Sequence, residues 1–307
     1  MPGPQSPDGS TSMGKFASAA RQAASVMKEV QGRYIPSVGT VRNYEQALTA
    51  VAAYAKAARI AGGLRGMTQE QAMTYLEIRG QEVGQSTLNM ERQAIQAMMQ
   101  YVTGKLEPKQ TLPVIKSEIE QTLKSRAYTS EQVKMIRDHQ TERNALATEI
   151  AHAAGLRAHE LLTLRPANKQ PMSERPMLDT KWAGREGQIY TVAGKGGLVR
   201  EVLIPCELAE RLEARRLSYP IQITDRNIHY RQHYDINGGQ RFSNAFSSAS
   251  KRALYRSTGA HGVRHSYAQK RMRELQVGQL ITRDKALETV SQEMGHFRPD
   301  ITEAYLR

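Results

Sequence analysis

The sequence predicts a mainly α-helical chain with a small antiparallel β-sheet or hairpin in its C-terminal part, divided into two domains. Three observations predict it. Apolar residues recur at helical spacing, as in Val41, Tyr44, Leu48, Val51 and Ala55. The pairs Thr68/Gln71 and Thr129/Gln132 have capping-box spacing, one in each half of the chain. Two β-rich runs, 188–192 and 199–204, flank Ala-Gly-Lys-Gly-Gly, where glycines supply positive φ for a turn. A length of 307 residues suits two domains of ordinary size.

Taken in order, residues 1–13 are rich in Pro, Gly and Ser and are expected to be disordered. An Ala-rich helix is expected from Lys15 to Val30, within an N-terminal segment 1–36 too small to be a domain. Residues 37–103 read as a compact helical unit. Gly62-Gly63 breaks its first helix, Thr68 opens the next, and Ser86 caps a third carrying Leu88, Ile95, Met99 and Val102. Its basic residues Arg42, Lys56, Arg59, Arg65, Arg79 and Arg92, taken singly, read as solvated surface charges. Gly104, Pro108 and Pro113, with interspersed lysines, make 104–126 a linker.

The second half, 127–307, opens with helices from Thr129 and from Thr141 to Ala154, the latter running into G-L-R-A-H-E-L. A strand is expected at Met177–Trp182, then the hairpin with Lys195 at its tip. Helical patterning returns at 207–217, 241–256 and 263–275, and after a cap at Asp284. Residues 218–240 show no clear period and are expected to be a long irregular loop.

Composition narrows the partners. Lys and Arg total 43 against 30 Asp and Glu, for a net charge of +13 and a pI of about 9.8. The excess is shared: 15 against 10 in residues 1–126, 28 against 20 in 127–307. A basic excess in both halves favours a polyanion, nucleic acid first. No basic amphipathic anchor stands out, no apolar run approaches the roughly 20 residues of a span, and no signal-peptide pattern opens the chain. The single cysteine, Cys206, permits neither an internal disulfide nor a Cys-rich zinc module. It is expected to be a small core residue near a strand end, in a reducing cytoplasm.

The C-terminal stretch concentrates chemistry. His261 and Arg264 are three apart and share a helix face; His296 follows Gly295, and Tyr305 lies nine residues on. Upstream, Arg157 and Glu160 have the same spacing. An isolated R-x-x-E is usually a surface ion pair, and a lone terminal tyrosine is usually a packing aromatic. Lys195 is no P-loop lysine, because Gly196 follows it where Ser or Thr is needed. His261-x-x-x-His265 has metal-like spacing but no third ligand nearby, so a metal is not expected.

The ordered set carries more than its parts. G-L-R-A-H-E-L, a Gly-flanked hairpin lysine, H-G-V-R-H-S and G-H-x8-Y together resemble the tyrosine recombinase (phage integrase) family, over about residues 37–307. The resemblance implies a two-domain DNA clamp, with 37–103 as the helical, SAM-like core-binding domain and 127–307 as the catalytic domain. It implies that Arg157, Lys195, His261, Arg264 and His296 surround the scissile phosphate, that Glu160 supports the site and that Tyr305 is the nucleophile. His265 matches a common family residue outside catalysis. A phenol ordinarily titrates at about 10 and needs a proton acceptor, for which His261 is the natural candidate. Two arginines would hold the non-bridging oxygens, Lys195 would protonate the departing 5′ oxygen, and His296 would hydrogen-bond the phosphate.

The implied activity is site-specific strand exchange through a 3′-phosphotyrosine and a Holliday junction, with no cofactor, metal or ATP. The implied partners are double-stranded DNA sites and a homotetramer assembled on them, in a bacterial cytoplasm and on the nucleoid, encoded by a mobile element. Xer-like dimer resolution, type IB topoisomerase-like relaxation and a catalytically silent architectural role are the alternatives. Two departures stand out. Only Leu306 and Arg307 follow the tyrosine, so either another segment, such as 218–240, is expected to mediate assembly or the tetramer is expected to be weak. Residues 1–36 are too short for an arm-site domain, which favours a simpler recombinase.

Overall fold

The computed structural model describes residues 17–120 and 124–307. The segment 1–13, expected to be disordered, lies outside the described residues. The chain divides into two compact units, Met1–Thr122 and Leu123–Arg307.

The first unit is helical: α1 (Ala19–Val30), α2 (Val38–Ala57), the single turn α3 (Gly63–Gly66), α4 (Gln69–Gly80) and α5 (Gln85–Met98). The Thr68 box forms as expected, with Thr68 Oγ1 accepting from Gln71 N and Gln71 Oε1 from Thr68 N. The third capping residue is Gly84, so α5 begins at Gln85, one residue before the expected Ser86 cap. Ala23, Val26, Met27 and Val30 of α1 join the same core as Leu48, Val51, Leu76 and Ile95. The segment after Gly104 is not free of this unit. Leu106 and Leu112 are buried in its core, Arg92 Nη1 donates to the Leu112 carbonyl at 2.8 Å, and Ser117 Oγ donates to that of Val83 at 2.7 Å. Nor are all its basic residues solvated: Arg79 pairs with buried Glu91 at 2.8 Å.

The second unit opens with α6 (Ser130–Asp138), closed at its start by the Thr129/Gln132 box, and α7 (Glu142–Ala154). A short 3-10 turn, Glu160–Thr163, leads into a three-stranded antiparallel sheet of β1 (Arg165–Pro166), β2 (Gln188–Ala193) and β3 (Val199–Ile204), ordered β1-β2-β3. The hairpin β2–β3 is the one read from the sequence, with Ala193 opposite Val199 and Gly196 and Gly197 both at positive φ. There follow α8 (Cys206–Glu213), the hairpin β4 (Arg216–Asp225) and β5 (Ile228–Tyr234), α9 (Gly239–Leu254), α10 (Gly262–Arg273), α11 (Arg283–Glu293) and α12 (Pro299–Glu303).

The helix expected over 207–217 ends at Glu213, and α11 is capped by Thr282 and not by Asp284. Three further expectations fail here. Residues 218–240 are not an irregular loop but mostly the β4–β5 hairpin and the start of α9. Its turn is Arg226-Asn227, both at positive φ (50° and 63°), so the glycine that marks such turns is missing. Pro220 sits where the register shifts between Arg216 and Ile221, a position that tolerates a missing N–H. Met177–Trp182 forms no strand. Two of its backbone donors go to α11 side chains instead: Leu178 N to Gln292 Oε1 at 2.9 Å and Trp182 N to Glu293 Oε1 at 3.1 Å. Cys206 is exposed, because it lies on the open first turn of α8 beyond the buried end of β3.

Candidate active site

The site begins where α7 stops. Gly155 takes a left-handed conformation (φ 62°) that ends the helix, and a Cβ there would lie 2.6 Å from the Tyr267 ring. The chain then turns sharply enough for the Glu160 carboxylate to reach back. It accepts from Arg157 N at 2.8 Å through Oε2 and from Arg157 Nη1 at 2.7 Å through Oε1. Arg157 is thus placed by a turn outside the helix.

Glu160 is fully buried and serves three guanidiniums. Besides Arg157, Arg200 Nη2 donates to its Oε2 at 2.8 Å, and Arg264 Nη1 lies 4.0 Å away. Burial alone would raise this carboxyl; the charges of Arg200, Arg264 and Arg157 outweigh it and hold the group well below the usual carboxylate range. Arg264, also fully buried, lies in the first turn of α10, and His261 is that helix's N-cap residue. Its guanidinium donates to the carbonyls of Gly155 and Met294, the C-terminal cap residues of α7 and α11. Two helix C-termini thus stabilise its charge. Burial, with Arg157 and Arg200 nearby, brings Arg264 down to about 10, so it stays cationic at neutral pH.

Tyr305 lies among three imidazoles. His261 Nε2 is 3.1 Å from its hydroxyl. The rings of His265 and His296 have centroids 4.6 and 5.0 Å from its own, and the Arg264 guanidinium carbon is 5.6 Å from it. His261 is lowered to about 4, first by burial and then by Arg264, so at neutral pH it is an uncharged imidazole able to accept a proton. His296 is lowered to about 3 by burial and by Arg264, Arg157 and Arg200. Its neutral ring accepts from Arg264 Nη2 through Nε2 at 2.9 Å, leaving Nδ1–H for Thr302 Oγ1 at 2.8 Å.

The structure therefore brings Arg157, Glu160, His261, Arg264, His296 and Tyr305 together. Lys195 follows Gly194 at the β2–β3 turn, and Gly194 borders the same cluster. A Cβ there would lie 3.4 Å from Glu160 Oε1 and 3.9 Å from Arg157 Nη1. Two groups were missed in the sequence. Arg200, on β3, bridges Glu160 and the Glu293 carbonyl, the latter at 2.6 Å through Nη1, and is 4% exposed. Nothing in R-E-V-L-I distinguishes it from a solvated strand arginine. Thr302 accepts from the Nδ1–H that Arg264 leaves on His296; its spacing six residues after His296 carries no signature of its own.

No protein-family profile matches the sequence, and no curated protein matches it. Solved structures do match. XerH site-specific recombinase bound to a palindromic difH substrate, in a post-cleavage complex, superposes with a TM-score of 0.57 at 16% identity, covering 94% of this chain and 81% of that one. A lambda integrase dimer bound to a COC′ core site gives 0.57 at 15% identity, covering 94% and 76%. The Tn1549 transposon integrase in complex with transposon right-end DNA gives 0.53 at 14% identity, covering 95% of each chain. At such identities the likeness is one of architecture, and it spans both units. By that architecture, the chain has the fold of the tyrosine recombinases.

Proposed function

We propose that this chain is a site-specific DNA recombinase of the integrase type, using Tyr305 as nucleophile. One observation carries the reading: the Tyr305 hydroxyl stands 3.1 Å from a neutral imidazole, beside a buried arginine cluster held by one carboxylate. In the proposed reaction Tyr305 Oη attacks the scissile phosphorus while His261 Nε2 takes its proton. Arg157 and Arg264 bind the non-bridging oxygens and stabilise the added charge of the pentacoordinate transition state. Glu160 and Arg200 position those guanidiniums. With Nε2 accepting from Arg264 and Nδ1 donating to Thr302, His296 acts through Arg264.

As the bond between phosphorus and the 5′ oxygen breaks, that oxygen takes a proton, a role we assign to Lys195 at the hairpin turn. The product is a 3′-phosphotyrosyl enzyme and a free 5′ hydroxyl. The ester bond keeps its energy, so a 5′ hydroxyl from a second duplex reverses the step and exchanges strands through a Holliday junction, without ATP. Exchange between two duplexes calls for four copies of the chain, each supplying one tyrosine. The basic excess of the whole chain supports a DNA partner, as does the fact that the XerH, lambda and Tn1549 structures hold DNA.

The test is a nicked suicide duplex made from the DNA that flanks the gene. The wild-type protein is expected to form a covalent adduct resistant to denaturant, and Tyr305→Phe to form none. Adduct in both, or in neither, refutes the assignment. Recombinant joints between two such sites, as opposed to relaxation of supercoils alone, separate a recombinase from a topoisomerase-like enzyme.

A further inference from the structure

The hairpin β4–β5 has a face that the proposed chemistry does not use. Its register sets Gln222 opposite Arg231 and Thr224 opposite His229. Residues alternate across a strand, so Gln222, Thr224, His229, Arg231 and His233 share one side. That side carries no carboxylate. Thr224 Oγ1 and His229 Nδ1 lie 2.9 Å apart, tying the strands together on it. The other side carries Ile221, Ile223, Ile228 and Tyr230.

A fourth basic group joins from the neighbouring sheet. Arg165 of β1 is lowered by burial and then by the like charge of Arg231. His233 is likewise lowered by burial, then by Arg165, Arg231 and Arg216. Neither Arg165 nor Arg231 forms an ion pair among the described residues. Arg165 Nε and His233 Nε2 are buried without a hydrogen-bond partner among them. Like charges gathered without an acid are unfavourable for the fold, and unpaired donors add to that cost. An anion from outside relieves the repulsion between the guanidiniums. The ribbon is also firmly based: β5 packs on the 3-10 turn that carries Glu160, and Asp225 Oδ1 accepts from Gln240 N at 2.8 Å.

We propose that the polar side of the β4–β5 ribbon is a second DNA-backbone contact, in which Arg231 and Arg165 hold a phosphate other than the one Tyr305 attacks. A two-stranded ribbon is narrow enough to lie along a groove, and Gln222, Thr224 and His229 then present hydrogen-bonding groups beside that phosphate. The proposal rests on the reading of the chain as a DNA-acting protein.

The test is binding of the full chain to a fluorescein-labelled random-sequence duplex, by anisotropy, between about 50 and 200 mM salt. Losing one phosphate contact lowers the slope of log Kd against log salt by about 1. Arg231→Gln is expected to show that drop, Arg231→Lys to keep the wild-type slope, and Arg283→Gln, whose arginine pairs with Glu303 at 2.9 Å, to leave it unchanged as a charge control. A steep wild-type slope that Arg231→Gln does not alter overturns the ribbon contact and leaves the proposed chemistry standing. If that variant instead shifts only the sedimentation of the chain, the face belongs between copies and the proposal fails. A wild-type protein with no salt response overturns the DNA reading, and the ribbon contact with it.

Discussion

His261 Nε2 and the Tyr305 hydroxyl meet at 3.1 Å across 44 positions of sequence. The pairing joins the start of α10 to the residues just beyond α12. It sets an imidazole that is uncharged at neutral pH against a phenol beside the Arg264 guanidinium. In the proposed reaction this pair gives a proton path that needs no charged base.

That path predicts a pH profile. In the proposed reaction cleavage requires neutral His261, whose value is lowered to about 4. The acid limb of single-turnover cleavage should therefore fall near pH 4 to 5 and not near the ordinary histidine value of about 6.5. His261→Ala should slow cleavage by about 10²- to 10⁴-fold, as loss of a general base does. A rate that already halves by pH 6.5 would remove His261 from that role.

Stability should depend on pH for a related reason. His152 is lowered to about 4 by burial, then by Lys270 and Arg185. Its folded value lies below its unfolded one, so between roughly 6.5 and 4 the unfolded chain binds more protons. Stability from this group is full above pH 6.5 and is lost as pH falls. From pH 7 to 5 the loss due to His152 is about 2 kcal/mol, and His261 and His296 act in the same direction. Urea midpoints at the two pH values measure it, and His152→Asn should show the smaller difference.

Removing the shared carboxylate should damage fold and function together. Glu160→Ala leaves buried Arg200 and Arg264 without their anion, a change expected to cost about 3–5 kcal/mol in urea unfolding. Arg157 is less buried, so Arg157→Ala is the cleaner probe of catalysis. It should lower cleavage by about 10²-fold or more while duplex affinity stays within a few-fold of wild type. Loss of binding in that variant would mean that the guanidinium serves the ground state.

Gly155→Ala tests the hinge that sets Arg157. The substitution forces a side chain into a left-handed conformation and places its Cβ 2.6 Å from the Tyr267 ring. The left-handed conformation alone costs about 1–2 kcal/mol, and the overlap adds to it. Thermal unfolding should show a clear fall in midpoint, and cleavage should fall more than binding, because Arg157 and the Gly155 carbonyl that holds Arg264 both move.

Much of this was legible locally. Helical spacing, the Thr68/Gln71 and Thr129/Gln132 boxes and the Gly-rich β2–β3 turn depend on residues within a few positions of one another, so the linear order of side chains contains them. The order Arg157, Glu160, Lys195, His261, Arg264, His296 and Tyr305 likewise needed only the string of letters. The β4–β5 ribbon was hidden because its turn uses Arg226-Asn227, which removes the glycine mark, and because Pro220 and a register shift interrupt its first strand.

What the sequence by itself determined was helix, hairpin and the inventory of reactive groups, since these follow from the backbone preferences and chemistry of near neighbours. Only the tertiary structure decided which arginine faces Glu160 from β3, which backbone donors of 177–182 are taken up by α11, and which tautomer Arg264 imposes on His296. Each of those is a pairing of buried polar groups from distant segments. In a medium where an unmet charge or donor is costly, the partner is whichever complementary group packing brings within reach, and packing is a property of the whole folded chain.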